Sequence, residues 1–78
     1  PCLEVAVYTV HAAHAAEFPA VQAAMHARLR AMPGFRAAER LRGLDDPTLF
    51  ADHVWWATRA AADAAAAALP TLPEAAPF

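Results

Sequence analysis

The chain of 78 residues contains no serine, asparagine, lysine or isoleucine. A serine nucleophile, a Schiff-base lysine and a phosphate-binding loop closed by lysine are therefore excluded. Its single cysteine, Cys2, leaves no internal disulfide framework. That thiol reads as a small apolar side chain on a first strand, in a reducing and hence cytoplasmic setting. Positive charge is scarce too. The basic residues, 6 and all of them arginine, are set against 8 acids for a net charge of −2, which offers no basic field for nucleic acid. The chain also lacks the ~18–20 consecutive apolar residues that a bilayer span needs, and no basic region followed by an apolar core opens it.

What the chain has in excess is apolar content, 59%, against the ~45–50% typical of soluble domains. Much of it is alanine, which favours helix but buries little area. Burial is therefore expected from Leu3, Val5, Val7, Phe18, Val21, Met25, Leu29, Phe35, Leu41, Leu49, Phe50, Val54, Trp55 and Trp56. Residues 1–78 allow one domain, and a chain this short buries only about 60–65% of its extended surface. A small core of this kind gains from oligomerisation.

Periodicity orders the chain. Residues 2–10, CLEVAVYTV, alternate Leu3, Val5 and Val7 with Cys2, Glu4, Ala6 and Tyr8, a strand with one strongly apolar face. A helix is predicted over residues 16–32, where Phe18, Val21, Met25, Leu29 and Met32 fall within roughly 80° of a wheel turning ~100° per residue. Gln22, His26 and Arg30 form a polar ridge beside that stripe, and Pro19 is tolerable because it lies in the first turn. Pro33-Gly34 stops the helix. A second strand at 35–42 sets Arg36, Arg40 and Arg42 against Phe35, Ala37, Glu39 and Leu41, and that arginine face reads as solvated or paired. The turn GLDDPT (43–48) leads to a third strand at 48–56. Thr58 is placed to cap a helix over 59–69, and the proline-rich 69–78 reads as a connector or tail.

The order strand, helix, strand, strand, helix is the ferredoxin-like α+β pattern with its fourth strand absent or truncated. The pieces MPGF (32–35), LRGLDDPTLF (41–50) and Trp56-Ala57-Thr58, in this order and spacing, resemble the antibiotic biosynthesis monooxygenase family of dimeric α+β barrels. The resemblance covers nearly the whole chain up to Leu69. It implies a homodimer with an apolar pocket between sheet and helices, in which an aromatic phenol or quinol is oxidised by oxygen without a cofactor. A deprotonated phenol can itself give an electron to oxygen. The protein then needs a base, hydrogen bonds that orient the anion, and walls that exclude water. The family's haem-degrading branch pairs its pocket tryptophan with an asparagine and a later histidine. This chain has no asparagine, and Ala66 stands at the histidine's place, which argues against haem degradation.

Trp56 matches the pocket tryptophan. By strand alternation it points with Phe50, Asp52 and Val54, while Trp55 points with His53 and Ala51. Trp56, Phe50 and Met25 are expected to bind substrate and Trp55 to lie on the dimer side; the candidate catalytic residues are Tyr8, which the resemblance implies as the counterpart of the family's site tyrosine, and His53, the one histidine placed within a strand. No metal is called for: His11, His14 and Glu17 recur at spacing three but read as a solvated loop. Two other functions fit the same sequence. One is a dimeric module that binds a small aromatic ligand without catalysis. The other is a tautomerase using Pro1 as its base, as in proteins resembling oxalocrotonate tautomerase.

Overall fold

The computed structural model describes residues 1–68; the tail at 69–78 lies outside the described residues. The chain runs through β1 (Cys2–Thr9), a single 3-10 turn (Ala12–His14), α1 (Phe18–Leu29), β2 (Phe35–Arg42), β3 (Leu49–Trp56) and α2 (Arg59–Ala68). The three strands are antiparallel in the order β1-β3-β2, so the hairpin strand β3 is central. This is the expected α+β order. No helix among the described residues is long and apolar enough to cross a membrane.

The element ends follow local chemistry. Pro19 sits in the first turn of α1, where its missing N–H costs nothing. Beyond α1 the chain turns on Gly34, whose φ of 83° is open to glycine. A Cβ there would lie 2.5 Å from the Cβ of Ala61, so the bare glycine also lets α2 come close. The Gly34 carbonyl accepts the Ala57 N–H at 2.7 Å, which ties the end of β3 to that turn. Thr58 caps α2 as its sequence position predicts: its Oγ1 accepts the Ala61 N–H at 3.1 Å.

Both helices lie on one face of the sheet. Leu29 of α1, Val54 and Trp56 of β3, and Ala62 and Ala65 of α2 form the buried cluster between them. Register then decides which face each strand residue serves. Glu4 pairs with Val54, Ala6 with Asp52 and Tyr8 with Phe50, which puts these side chains on the helix-bearing face, where Val54 and Phe50 of the central strand are buried while Glu4 and Ala6 of the edge strand stay exposed. Leu3, Val5 and Val7 pair with Trp55, His53 and Ala51 on the opposite, helix-free face.

Here the structure corrects the expected core. The bulky stripe of β1 is not under the helices: Leu3, Val5 and Val7 are 48%, 53% and 65% exposed, and Leu41 is 38% exposed. The physical reason is position: β1 is an edge strand with no element over its apolar face among the described residues, and even on its helix side Glu4 and Ala6 stay exposed beside the small side chains of α2. Phe35 departs from plain alternation as well. The β2–β3 register shifts between Phe35 and Ala37, which turns Phe35 onto Trp56 with ring centroids 5.8 Å apart and nearly perpendicular.

Candidate active site

Small residues on both walls leave space between sheet and helices. A cavity of about 240 Å³ opens between β1, β3 and the two helices, with Ala6, Met25, Leu29, Val54, Ala65 and Ala66 as its apolar lining. Four polar side chains also line it: Glu4, Tyr8, His26 and Asp52.

Asp52 is the hub. It lies on the face of β3 that carries Phe50, Val54 and Trp56, where an unpartnered carboxylate would be costly. Three donors converge on it. His26 Nε2 is 2.6 Å from Oδ1, Gln22 Nε2 donates to Oδ1 at 2.9 Å, and the Tyr8 hydroxyl donates to Oδ2 at 2.7 Å. Gln22 also donates to the Ala51 carbonyl at 3.1 Å, which anchors the amide to the strand backbone. His26 and Gln22 are each 3% exposed. Being four residues apart, they lie one above the other on α1.

Burial pushes the Asp52 carboxyl up, but the hydrogen bonds from His26, Tyr8 and Gln22, with the attraction of His26, outweigh it and hold Asp52 below its ordinary range. Asp52 is therefore a carboxylate that accepts only, so His26 Nε2 carries a proton, and in the neutral ring the lone pair is on Nδ1. A depressed carboxylate is a poor base but a good orienter of an imidazole. The arrangement provides an imidazole base held by a carboxylate, with a tyrosine hydroxyl beside it, in an otherwise apolar hollow.

Tyr8 is shifted in the opposite sense. Burial first, then the hydrogen bond to Asp52 and its negative charge, raise the phenol well above its ordinary 10.0. As the folded-state value is raised, the associated stability is present below the ordinary value and lost as pH rises beyond it. Because Tyr8 is the only tyrosine, its ionisation can be followed directly. Tyrosinate absorbance is expected to be absent just above pH 10.0 and to appear only with unfolding at higher pH. Titration at the ordinary value with the fold intact would contradict this environment.

The structure brings together only part of the sequence-predicted site. Tyr8 and Met25 line the cavity. Trp56, 0% exposed, lies in the core and does not line the cavity, although its Nε1–H donates to Oε1 of the lining residue Glu4 at 3.1 Å. Phe50 is buried against Phe18, with centroids 4.8 Å apart, and under the Arg42 guanidinium. Arg42 also donates to the Pro47 and Ala15 carbonyls, so this arginine is engaged in holding loops. His53 is on the helix-free face, its Nδ1 3.6 Å from Glu39 Oε1 and its ring against Trp55; the sheet separates it from Tyr8. Pro1 is exposed and lines no cavity described here. His11, His14 and Glu17 border a second hollow on the other side of Tyr8, and no three metal-binding side chains gather among the described residues.

Gln22, His26, Asp52 and Glu4 are the residues that sequence reasoning missed. Two signals were present: the i, i+4 pair beside the apolar stripe of α1, and an acid on the same strand face as three bulky apolar residues. Together they mark Gln22, His26 and Asp52 as a polar network on the helix-bearing face; Glu4, exposed on the edge strand, carried no such signal.

Comparison with known proteins adds an independent line. The profile of the family described as antibiotic biosynthesis monooxygenase matches residues 1–68. Among solved structures, SnoaB, a cofactor-independent oxygenase from Streptomyces nogalater, is 31% identical with a TM-score of 0.84, over 96% of this chain and 76% of that one. A candidate antibiotic biosynthesis monooxygenase from Nitrosomonas europaea is 20% identical with a TM-score of 0.76, over 96% of this chain and 75% of that one, a likeness of fold. Comparison with curated proteins returns no match.

Proposed function

The chain belongs to the antibiotic biosynthesis monooxygenase family, and from that premise we propose that it oxidises a small aromatic phenol or quinol with molecular oxygen in the cavity beside Asp52, the substrate itself supplying the electrons. The observation that carries this reading is the His26–Asp52 contact of 2.6 Å, buried at the edge of an apolar cavity. The likeness to SnoaB, a cofactor-independent oxygenase, supports it.

The chemistry for a phenol balances without a further reductant. His26 Nδ1 takes the hydroxyl proton, and the phenolate passes one electron to oxygen from an electron-rich ring carbon. The substrate radical and superoxide combine in a carbon–oxygen bond, and protonation gives a hydroperoxide. Its oxygen–oxygen bond then breaks with loss of water as the carbon's remaining hydrogen leaves as a proton, so a quinone carbonyl results. One oxygen atom enters the product and the other becomes water. Asp52 holds the imidazole and stabilises its protonated form, Tyr8 and Gln22 hold Asp52, and the apolar walls exclude water. A cavity of about 240 Å³ lies below the roughly 300–1,000 Å³ of drug-sized sites, which favours a substrate of one or two fused rings. Oxygen uptake with naphthols under labelled oxygen tests the reading: one labelled atom per quinone is expected, and no uptake above the buffer rate with any small phenol would refute it.

The helix-free face is proposed as the surface through which two copies pair. Leu3, Val5, Val7 and Leu41 are exposed there beside Trp55, and a contiguous apolar patch on a monomer is unfavourable. A two-fold pairing would cover both patches at once. Sedimentation at micromolar concentration is expected to give twice the 8.3 kDa of one chain, and Trp55→Glu to give the single chain; a wild-type monomer would refute the pairing.

A further inference from the structure

We propose that Glu4 is a specificity-determining residue, whose carboxylate selects aromatic substrates carrying a second hydroxyl at the end of the cavity away from Asp52 and rejects those carrying a carboxylate there. The proposal rests on the oxygenase reading of the cavity and names its substrate class.

Glu4 and Asp52 lie on the same face of neighbouring strands. Glu4 pairs with Val54 and Asp52 with Ala6, a separation of two residues along the strand, or roughly 7 Å. Between them the cavity wall is Ala6, Val54, Met25 and Leu29, all apolar. The two acids differ in how they are satisfied. Both oxygens of Asp52 are occupied by donors from Tyr8, Gln22 and His26. Glu4 is held at one oxygen only, Oε1, by the indole N–H of the fully buried Trp56. Trp56 therefore fixes the carboxylate at the cavity, while Oε2 takes no hydrogen bond among the described residues.

Glu4 is exposed on the edge strand, so its second oxygen is a solvated acceptor at the mouth of the apolar slot, held in place there by the indole. A ligand hydroxyl would meet it in a charge-assisted hydrogen bond. A ligand carboxylate would instead face two like charges, with no arginine among the cavity residues to offset them. The ligand that fits has a flat apolar middle and hydroxyls at opposite ends, one for His26 and one for Glu4.

Calorimetric titration of the full chain, without oxygen, tests this with three probes: a naphthol, a dihydroxynaphthalene with its hydroxyls on opposite rings, and the matching hydroxynaphthoate. Because the Glu4 carboxylate is exposed and screened by water, the wild type is expected to bind the diol about threefold more tightly than the naphthol and the hydroxynaphthoate about threefold more weakly. Glu4→Gln keeps an acceptor for Trp56 but removes the charge, and both differences are expected to shrink. Equal binding of the three probes by the wild type, unchanged differences in Glu4→Gln, or no binding of any probe would overturn the proposal. Binding is read without turnover. The predicted selectivity without oxygen uptake would uphold Glu4 and refute the oxygenase reading, whereas oxygen uptake without the selectivity would do the reverse.

Discussion

Asp52→Ala is expected to destabilise the folded chain by about 3 kcal/mol and to abolish oxygen uptake. Removing the carboxylate leaves the His26 Nε2–H, a Gln22 N–H and the Tyr8 hydroxyl without their shared acceptor, and unsatisfied buried donors retain their full desolvation cost. In a domain of this size each kcal/mol moves the melting temperature by about 4–8 °C, so a fall of more than ~10 °C in a calorimetric scan is the expected readout. Asp52→Asn separates structure from chemistry. The amide keeps the volume and part of the bonding, and its stability loss should be nearer ~1 kcal/mol. It does not stabilise an imidazolium, and the rate should fall about 10²–10⁴-fold. The two proteins should also differ in acid. With its folded-state value depressed, Asp52 contributes stability that is present above the ordinary carboxylate value and lost as pH falls through the lower one, so the wild type loses more stability below about pH 4 than Asp52→Asn does.

Trp56→Ala is expected to cost about 3–5 kcal/mol. The indole is wholly buried, packs with Leu29, Val54, Ala62 and Ala65, and stands edge-on to Phe35. Its alanine neighbours on α2 have no longer side chain with which to fill the space. For a chain with a total stability of roughly 4–12 kcal/mol, that loss leaves a large unfolded fraction in denaturant titrations. Trp56→Phe retains most of the area but strips Glu4 of its donor, so it should fold and yet lose part of the selectivity assigned to Glu4. A fully stable Trp56→Ala would mean that the indole is a replaceable pocket wall rather than the centre of the core.

Much of the fold was legible because its signals are local. The Phe18–Met25–Leu29 stripe, Pro33-Gly34, the Asp46 turn that holds Thr48 through its side chain and the Thr58 cap all act within a few residues. The opposite directions of Trp55 and Trp56 followed from alternation alone. What failed was the assignment of faces. On β1 the larger residues were assigned to the core, yet sequence does not say which side the helices cover, and the polar side of β1 meets them. The same ambiguity hid the site. Asp52 is acceptable on a buried face only because Tyr8, Gln22 and His26 arrive from 44, 30 and 26 residues away, and no local window contains that convergence. Tyr8 and Met25 were visible as cavity residues, whereas His53, the one histidine within a strand, lies on the far side of the sheet.

The central claim, that buried His26 oriented by Asp52 is the base of an oxygen-consuming site, is tested most directly by comparing two histidine variants in an oxygen electrode with the same naphthol. His26→Gln is expected to lose at least ~10²-fold in rate while still binding the naphthol, and His53→Gln to stay within about twofold of the wild type. Full activity in His26→Gln, or loss confined to His53→Gln, would contradict the account.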